Sequence, residues 1–238
     1  MSQTVEHIGS TNGEKLTALI SKLALMGGQV EVILSETLSA VQSRDPLKAS
    51  DTPRRAGELT DMRRHIDQNA ENLLTIHHYY ASELRRLIGT IKVATDIERI
   101  GQLSANISNC LKKPYNIDAL TSVSGINQLG RQVQHMVTSA MDALVHENPS
   151  KAMQVYHAYD DITRLHDTIE NNISNLMIDG KLASGAGTDL LFIIRHFQRM
   201  ADHACNIAKT VYYSHTAAHL EDNIHIPAED KQTISTYA

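Results

Sequence analysis

Residues 96–107 read DIERIGQLSANI, and residues 196–207 read HFQRMADHACNI. Laid over each other at an offset of 100 positions, Arg99 falls on Arg199, Asn106 on Asn206 and Ile107 on Ile207. The apolar positions agree too: Ile97 pairs with Phe197, Ile100 with Met200, and small Gly101 with small Ala201. Both stretches carry apolar residues three and four apart, the period of a helix that buries one face. The same kind of helix therefore occurs twice. In each half it comes third, after two other helical runs, so the chain reads as an internal repeat of two three-helix units.

The runs around these two helices follow the prolines. Proline lacks an N–H, and its ring clashes with the preceding turn, so long helices lie in the gaps between prolines. The chain has five, at positions 46, 53, 114, 149 and 227, which leaves 54–113 and 150–226 free. Helical spacing recurs through Leu16, Ile20, Leu23, Val30, Leu34 and Val41; through Leu59, Met62, Ile66 and Leu73; and through Ile126, Leu129, Val133, Met136, Ala140 and Leu144. A strict seven-residue series, Val155, Ile162, Ile169 and Leu176, marks a further helix. Thr52 before Pro53 and Asn148 before Pro149 read as N-caps with proline in the first turn. Asp118 reads as the cap of the fourth helix, and Gly180 as a left-handed stop after the fifth. The expectation is an all-α chain of six helices, most of 25–32 residues, built as two tandem three-helix bundles of long antiparallel helices with a pseudo-two-fold repeat. The first bundle is expected over 1–113, the second over 114–214, and a poorly ordered tail over 215–238.

Composition narrows the class of protein. Among 238 residues, 22 Lys and Arg stand against 27 Asp and Glu, a formal net charge of −5 with no basic run. Nucleic-acid binding needs a basic face, so this balance argues against it. No unbroken apolar run reaches the ~18 residues of a membrane span, and the opening MSQTVEHIGS has no apolar core of a signal peptide. A cytoplasmic protein is expected. Cys110 and Cys205 make no disulfide framework. The 13 histidines raise the question of metal. His215 and His219 are spaced for a two-point clip and His203 adjoins Asp202, yet Glu-x-x-His, the motif of a di-iron bundle, is absent from the sequence. Ser184–Thr188, SGAGT, lacks the lysine of a phosphate loop and reads as a helix connector. With no nucleophile–base constellation and no cofactor motif, the chain reads as a non-enzyme with no catalytic residues.

The polar residues that stand out lie beside a strip of small ones. In the third helix, Ala94, Gly101 and Ala105 accompany Glu98 and Gln102; in the sixth, Ala201 and Cys205 accompany Gln198 and Asp202. Small neighbours are expected to leave these heads uncovered. Side chains four apart lie one turn apart on a helix, and paired carboxylates at that spacing invite a hard cation.

DIERIGQ and QRMADHACNIA together resemble the paired signature of the PhoU family. Met26-Gly27-Gly28, Ile66-Asp67, Glu83-Leu84-Arg85, Asn106-Ile107 and Asn206-Ile207 resemble its flanking positions, and the likeness runs over about residues 14–214. It implies two three-helix bundles, each with a Glu/Asp-x-x-x-Asp motif that in some members holds iron or other cations. It also implies a negative regulatory adaptor of phosphate homeostasis. The implied partners are the ATPase subunit of the phosphate ABC transporter and the sensor histidine kinase of the phosphate regulon, and self-association as a homodimer is implied as well. The sequence departs from the pattern at the motif itself, which reads Glu98-x-x-x-Gln102 and Gln198-x-x-x-Asp202, with Tyr159 and Thr163 where the family tends to carry Asp. An amide adds no charge, so the expectation is no cofactor, or a weakly bound divalent cation or iron at Glu98, Gln102, Gln198 and Asp202. In the blander reading these are hydrogen-bonded pairs. Arg99 and Arg199 are candidate partner-binding residues. The alternative function is a helical protein that stores or senses a cation cluster.

Overall fold

The computed structural model describes residues 2–76 and 78–224, with side chains for 13–76, 78–113 and 118–222. Among them run seven α-helices: α1 (Ser2–Ser43), α2 (Thr52–Ile76), α3 (Ala81–Leu111), α4 (Pro114–Ser122), α5 (Ile126–Val145), α6 (Pro149–Ile178) and α7 (Ser184–Thr216). Short 3-10 turns follow α1 and α7. The expected fourth helix is divided. Asp118 lies inside α4, whose N-cap position is Lys113; α5 begins after Gly125, whose φ of +95° is left-handed and breaks the run.

The architecture is two tandem three-helix bundles. α3 and α7 pack on each other at the centre. α2 lies against α3 and α6 against α7, while α1 and α5 cover the pair from behind and touch each other. Asp96 meets His203 and Lys113 meets Asp189 across the seam, so α3 and α7 run antiparallel, with Arg99 and Arg199 at nearly the same level. One continuous apolar core joins both halves; its fully buried side chains include Leu23, Met26, Ile97, Ile100, Phe197 and Met200. Residues 13–43 of α1 are long and apolar enough to cross a membrane by composition alone. Their Leu16, Leu23, Val30, Leu34 and Val41 are nonetheless spent on this core. Leu84, near the start of α3, is exposed.

The repeat also extends further than the third helices. At the same offset, Asp61 matches Asp161, Arg64 matches Arg164 and Asp67 matches Asp167. Each half makes the corresponding surface pair, Arg64 with Asp61 and Arg164 with Asp161.

The helix ends show which capping signals held. Asn148 Oδ1 accepts from the Lys151 N–H at 3.0 Å with Pro149 in the first turn. Gly180 turns left-handed at φ +68° after α6. Thr52 is different. It is already helical, its hydroxyl is buried without a partner, and the Asp51 carbonyl accepts the first helical bond, from Arg55. The Asp51 carboxylate is held by Arg54 and Arg55. SGAGT is no connector: Ser184 opens α7, and a Cβ on Gly187 would sit 2.3 Å from Met177 Sδ, so these small residues let α7 start close against α6. Of the expected tail, 215–216 complete α7, Ala217 ends the helix at φ +58°, Leu220 is buried, and 225–238 lie outside the described residues.

Candidate functional site

The two motifs occupy equivalent clefts, the first between α2 and α3 and the second between α6 and α7. The small-residue strip does the opposite of what its composition suggests. Gly101 and Ala94 are buried, and a Cβ on Gly101 would lie 2.4 Å from Leu59 Cδ1. Without side chains in the way α2 closes on α3, and Glu98 is left only 6% exposed. In the second half Ile194, Ala201 and Cys205 are covered as well, while Gln198 and Asp202 are half-buried.

Every oxygen of Glu98 meets a donor. Oε1 accepts from the Thr60 hydroxyl at 2.7 Å and from Gln102 Nε2 at 3.1 Å; Oε2 is 2.6 Å from Arg63 Nε. Arg63 also binds Asp67 one turn along α2. Gln102 Oε1 accepts from Arg99 at 3.0 Å, which spends part of that exposed arginine within its own helix. Glu98 and Gln102 thus form the i, i+4 pair that the sequence suggests.

Gln198 and Asp202 are joined through a third residue. The Tyr159 hydroxyl donates to Asp202 Oδ1 at 2.7 Å and accepts from Gln198 Nε2 at 3.2 Å, while Nε2 also reaches Thr163 Oγ1 at 3.1 Å. Burial, and then the bond to Asp202, push the Tyr159 hydroxyl above its ordinary pKa, which keeps its proton available to donate. Gln198 Oε1 is buried without a hydrogen-bond partner. The α6 hydroxyls, Tyr159 and Thr163, were marked by the family resemblance, whereas nothing in the sequence of α2 pointed to Thr60 or Arg63.

The histidines scatter. His203 Nδ1 sits 2.8 Å from Asp96 across the seam. His215 and His219 form no clip: His215 faces Val211 and Glu147, while His219 lies beyond the helix end and stacks on Tyr213 at 4.7 Å. His166, Asp167 and Glu170 bring ligand atoms within 4.8 Å of one another on the outer side of α6. His7, His77 and His225 lie where no side chains are described. Burial pushes the Cys205 thiol up to about 11 and raises that of Cys110.

His196 provides a pH-dependent prediction. Burial first, then Arg199 and Arg195 beside it, hold its pKa below the ordinary value. Near pH 7.5 both the folded and the unfolded chain keep this ring neutral. As pH falls through about 6.5, the unfolded chain takes the proton first, so stability is lost until the folded ring titrates as well. Denaturant titrations at pH 7.5 and 5.5 should show a smaller loss of stability in His196→Gln than in the native chain. An equal loss would mean that this ring does not contribute.

This geometry belongs to a class, the duplicated three-helix bundle that carries one polar motif in the closing helix of each unit. The PhoU domain matches twice, over residues 23–111 and 126–211. A phosphate-specific transport system accessory protein PhoU homolog of Clostridium acetobutylicum is 26% identical over 209 residues, covering 87% of this chain and 95% of its own length. The crystal structure of PhoU from Pseudomonas aeruginosa superposes with a TM-score of 0.79 at 25% identity, covering 87% of this chain and 99% of that one. That of the phosphate transport system regulatory protein PhoU from Streptococcus pneumoniae gives 0.78 at 23% and confirms the fold. The chain belongs to the PhoU family.

Proposed function

We propose that this protein is a non-enzymatic, cytoplasmic regulatory adaptor of phosphate homeostasis, a negative regulator of phosphate-regulon signalling and phosphate uptake. Its partners on this reading are the ATPase subunit of the phosphate ABC transporter and the sensor histidine kinase of the phosphate regulon, and it self-associates as a homodimer. The observation that carries the reading is that both halves match the PhoU domain, and that relatives named as accessory proteins of phosphate-specific transport align over nearly their full length. Arg99 and Arg199 support a docking role. They are exposed at the same level of the central helix pair, and Arg195 is exposed one turn from Arg199. Basic groups so placed suit an acidic partner surface, where charge sets encounter rate and orientation. The alternative, storage or sensing of a cation cluster, has less behind it, because each motif retains one carboxylate and each retained carboxylate already has a donor.

Two experiments test the adaptor reading. Pull-down with the transporter ATPase and with the kinase should capture the protein, and its deletion should derepress phosphate-regulated genes under phosphate sufficiency. Failure of both overturns the reading. The double variant Arg99→Glu/Arg199→Glu should weaken capture at least tenfold while its melting temperature stays within about 2 °C of native, since exposed charges contribute little to stability. Unchanged capture would remove these arginines from the interface.

A further inference from the structure

We propose that Arg63 is a resident cation at the first motif: its guanidinium bridges Glu98 and Asp67 and does there what a divalent metal ion does between paired acids. The family resemblance raises the question of metal at this motif, and the residues present do not fit one. Arg63 Nε lies 2.6 Å from Glu98 Oε2, and a second guanidinium nitrogen of Arg63 binds Asp67 Oδ2. Thr60 and Gln102 fill the other oxygen of Glu98, and the Gln102 oxygen is turned toward Arg99. A metal ion entering between Glu98 and Asp67 would meet a fixed positive charge already held by both. The cluster is partly sheltered from solvent, with side-chain exposures of 26% for Arg63, 26% for Asp67 and 8% for Glu98, so Glu98 above all depends on the guanidinium and not on water for neutralisation.

Two further observations bear on what would follow if the guanidinium were removed. Asp67 Oδ1 is buried and takes no hydrogen bond, so one oxygen of this carboxylate stays open while the other holds the guanidinium. The residue at the position of Arg63 in the second half is Thr163, which is neutral, and there Asp202 is served by the Tyr159 hydroxyl. The charged replacement is therefore a property of the first cleft alone. Removal of the guanidinium leaves the Glu98 and Asp67 carboxylates and the Thr60 hydroxyl with no cation beside them, oxygen groups of the kind a hard divalent cation takes.

The test is independent of the adaptor reading, because it measures metal content and melting temperature and not signalling. The probe is MnCl2, added to untagged full-length protein stripped with EDTA. Native protein should retain less than about 0.1 equivalents of Mn2+ after dialysis, with no shift in melting temperature. Arg63→Ser should melt roughly 3–8 °C lower in EDTA, bind close to one equivalent of Mn2+, and regain most of the loss when Mn2+ is added. Arg63→Lys, which keeps a cation, should need no Mn2+. Tight stoichiometric Mn2+ in the native protein that is lost in Glu98→Gln would overturn the proposal. So would an Arg63→Ser protein that melts like the native one, or that Mn2+ does not stabilise. Should Arg63→Ser fail to fold in EDTA, refolding in the presence of Mn2+ applies the same test, and failure there also counts against it.

Discussion

Phe197→Ala is expected to destabilise the protein by about 3–5 kcal/mol and to lower its melting temperature by roughly 10 °C. Phe197 is wholly buried in α7, where two other helices meet it. Its ring lies against Gly130 of α5, where an added Cβ would come within 3.1 Å of Phe197 Cζ and 2.5 Å of Leu38 Cδ1 from α1. Helices held this close by a glycine cannot readily collapse onto a void, so the cavity term adds to the lost transfer energy. The chain has only two phenylalanines and no tryptophan. Little other aromatic volume is available to fill the gap, and calorimetry of the variant measures the loss directly. A drop of less than about 3 °C would mean that α1 and α5 relax into the space.

Glu98→Ala should cost about 1–3 kcal/mol. The change strips Arg63 of one of two carboxylates and leaves the Thr60 hydroxyl and the Gln102 amide facing a void. Loss of one partner of a sheltered pair is costly because the remaining charge has little water to turn to. The estimate sits at the lower end because Arg63 keeps Asp67 and remains a quarter exposed. Glu58→Ala supplies the contrast. Glu58 pairs with Arg54 on the open surface of the same helix, and its loss should fall within about 0.5 kcal/mol of zero. Urea titrations of the two variants side by side separate a sheltered charge network from a surface pair, and equal losses would refute the distinction.

The sequence made the fold legible because helical period, proline gaps and the repeat agree. Leu59, Ile97 and Phe197 are buried where their spacing puts them. It misread local features that depend on how close two helices come. Beside Gly101 the small residues invite α2 inward and bury Glu98, where composition alone suggests an open strip. Thr52 has the right type and place for a cap but loses that role to the Asp51 carbonyl one residue earlier. The candidate site was half legible. Glu98, Gln102, Gln198 and Asp202 could be picked out because they recur in register. Tyr159 and Thr163 came to notice only through the family resemblance, and Arg63 and Thr60 not at all, because those bonds span 35 to 43 positions of sequence and are fixed by how α2 lies on α3 and α6 on α7.

The antiparallel seam of α3 and α7 brings two copies of one motif together in the way that a symmetric dimer brings together two chains. In a dimer of identical chains every substitution is duplicated, and the two clefts must stay alike. Here both copies lie in one polypeptide, and they have diverged: a guanidinium beside a glutamate in one cleft, a phenol beside an aspartate in the other. The surface that results has a polarity, with a left and a right. A protein that docks across it has one preferred way round, which a strictly two-fold surface cannot impose.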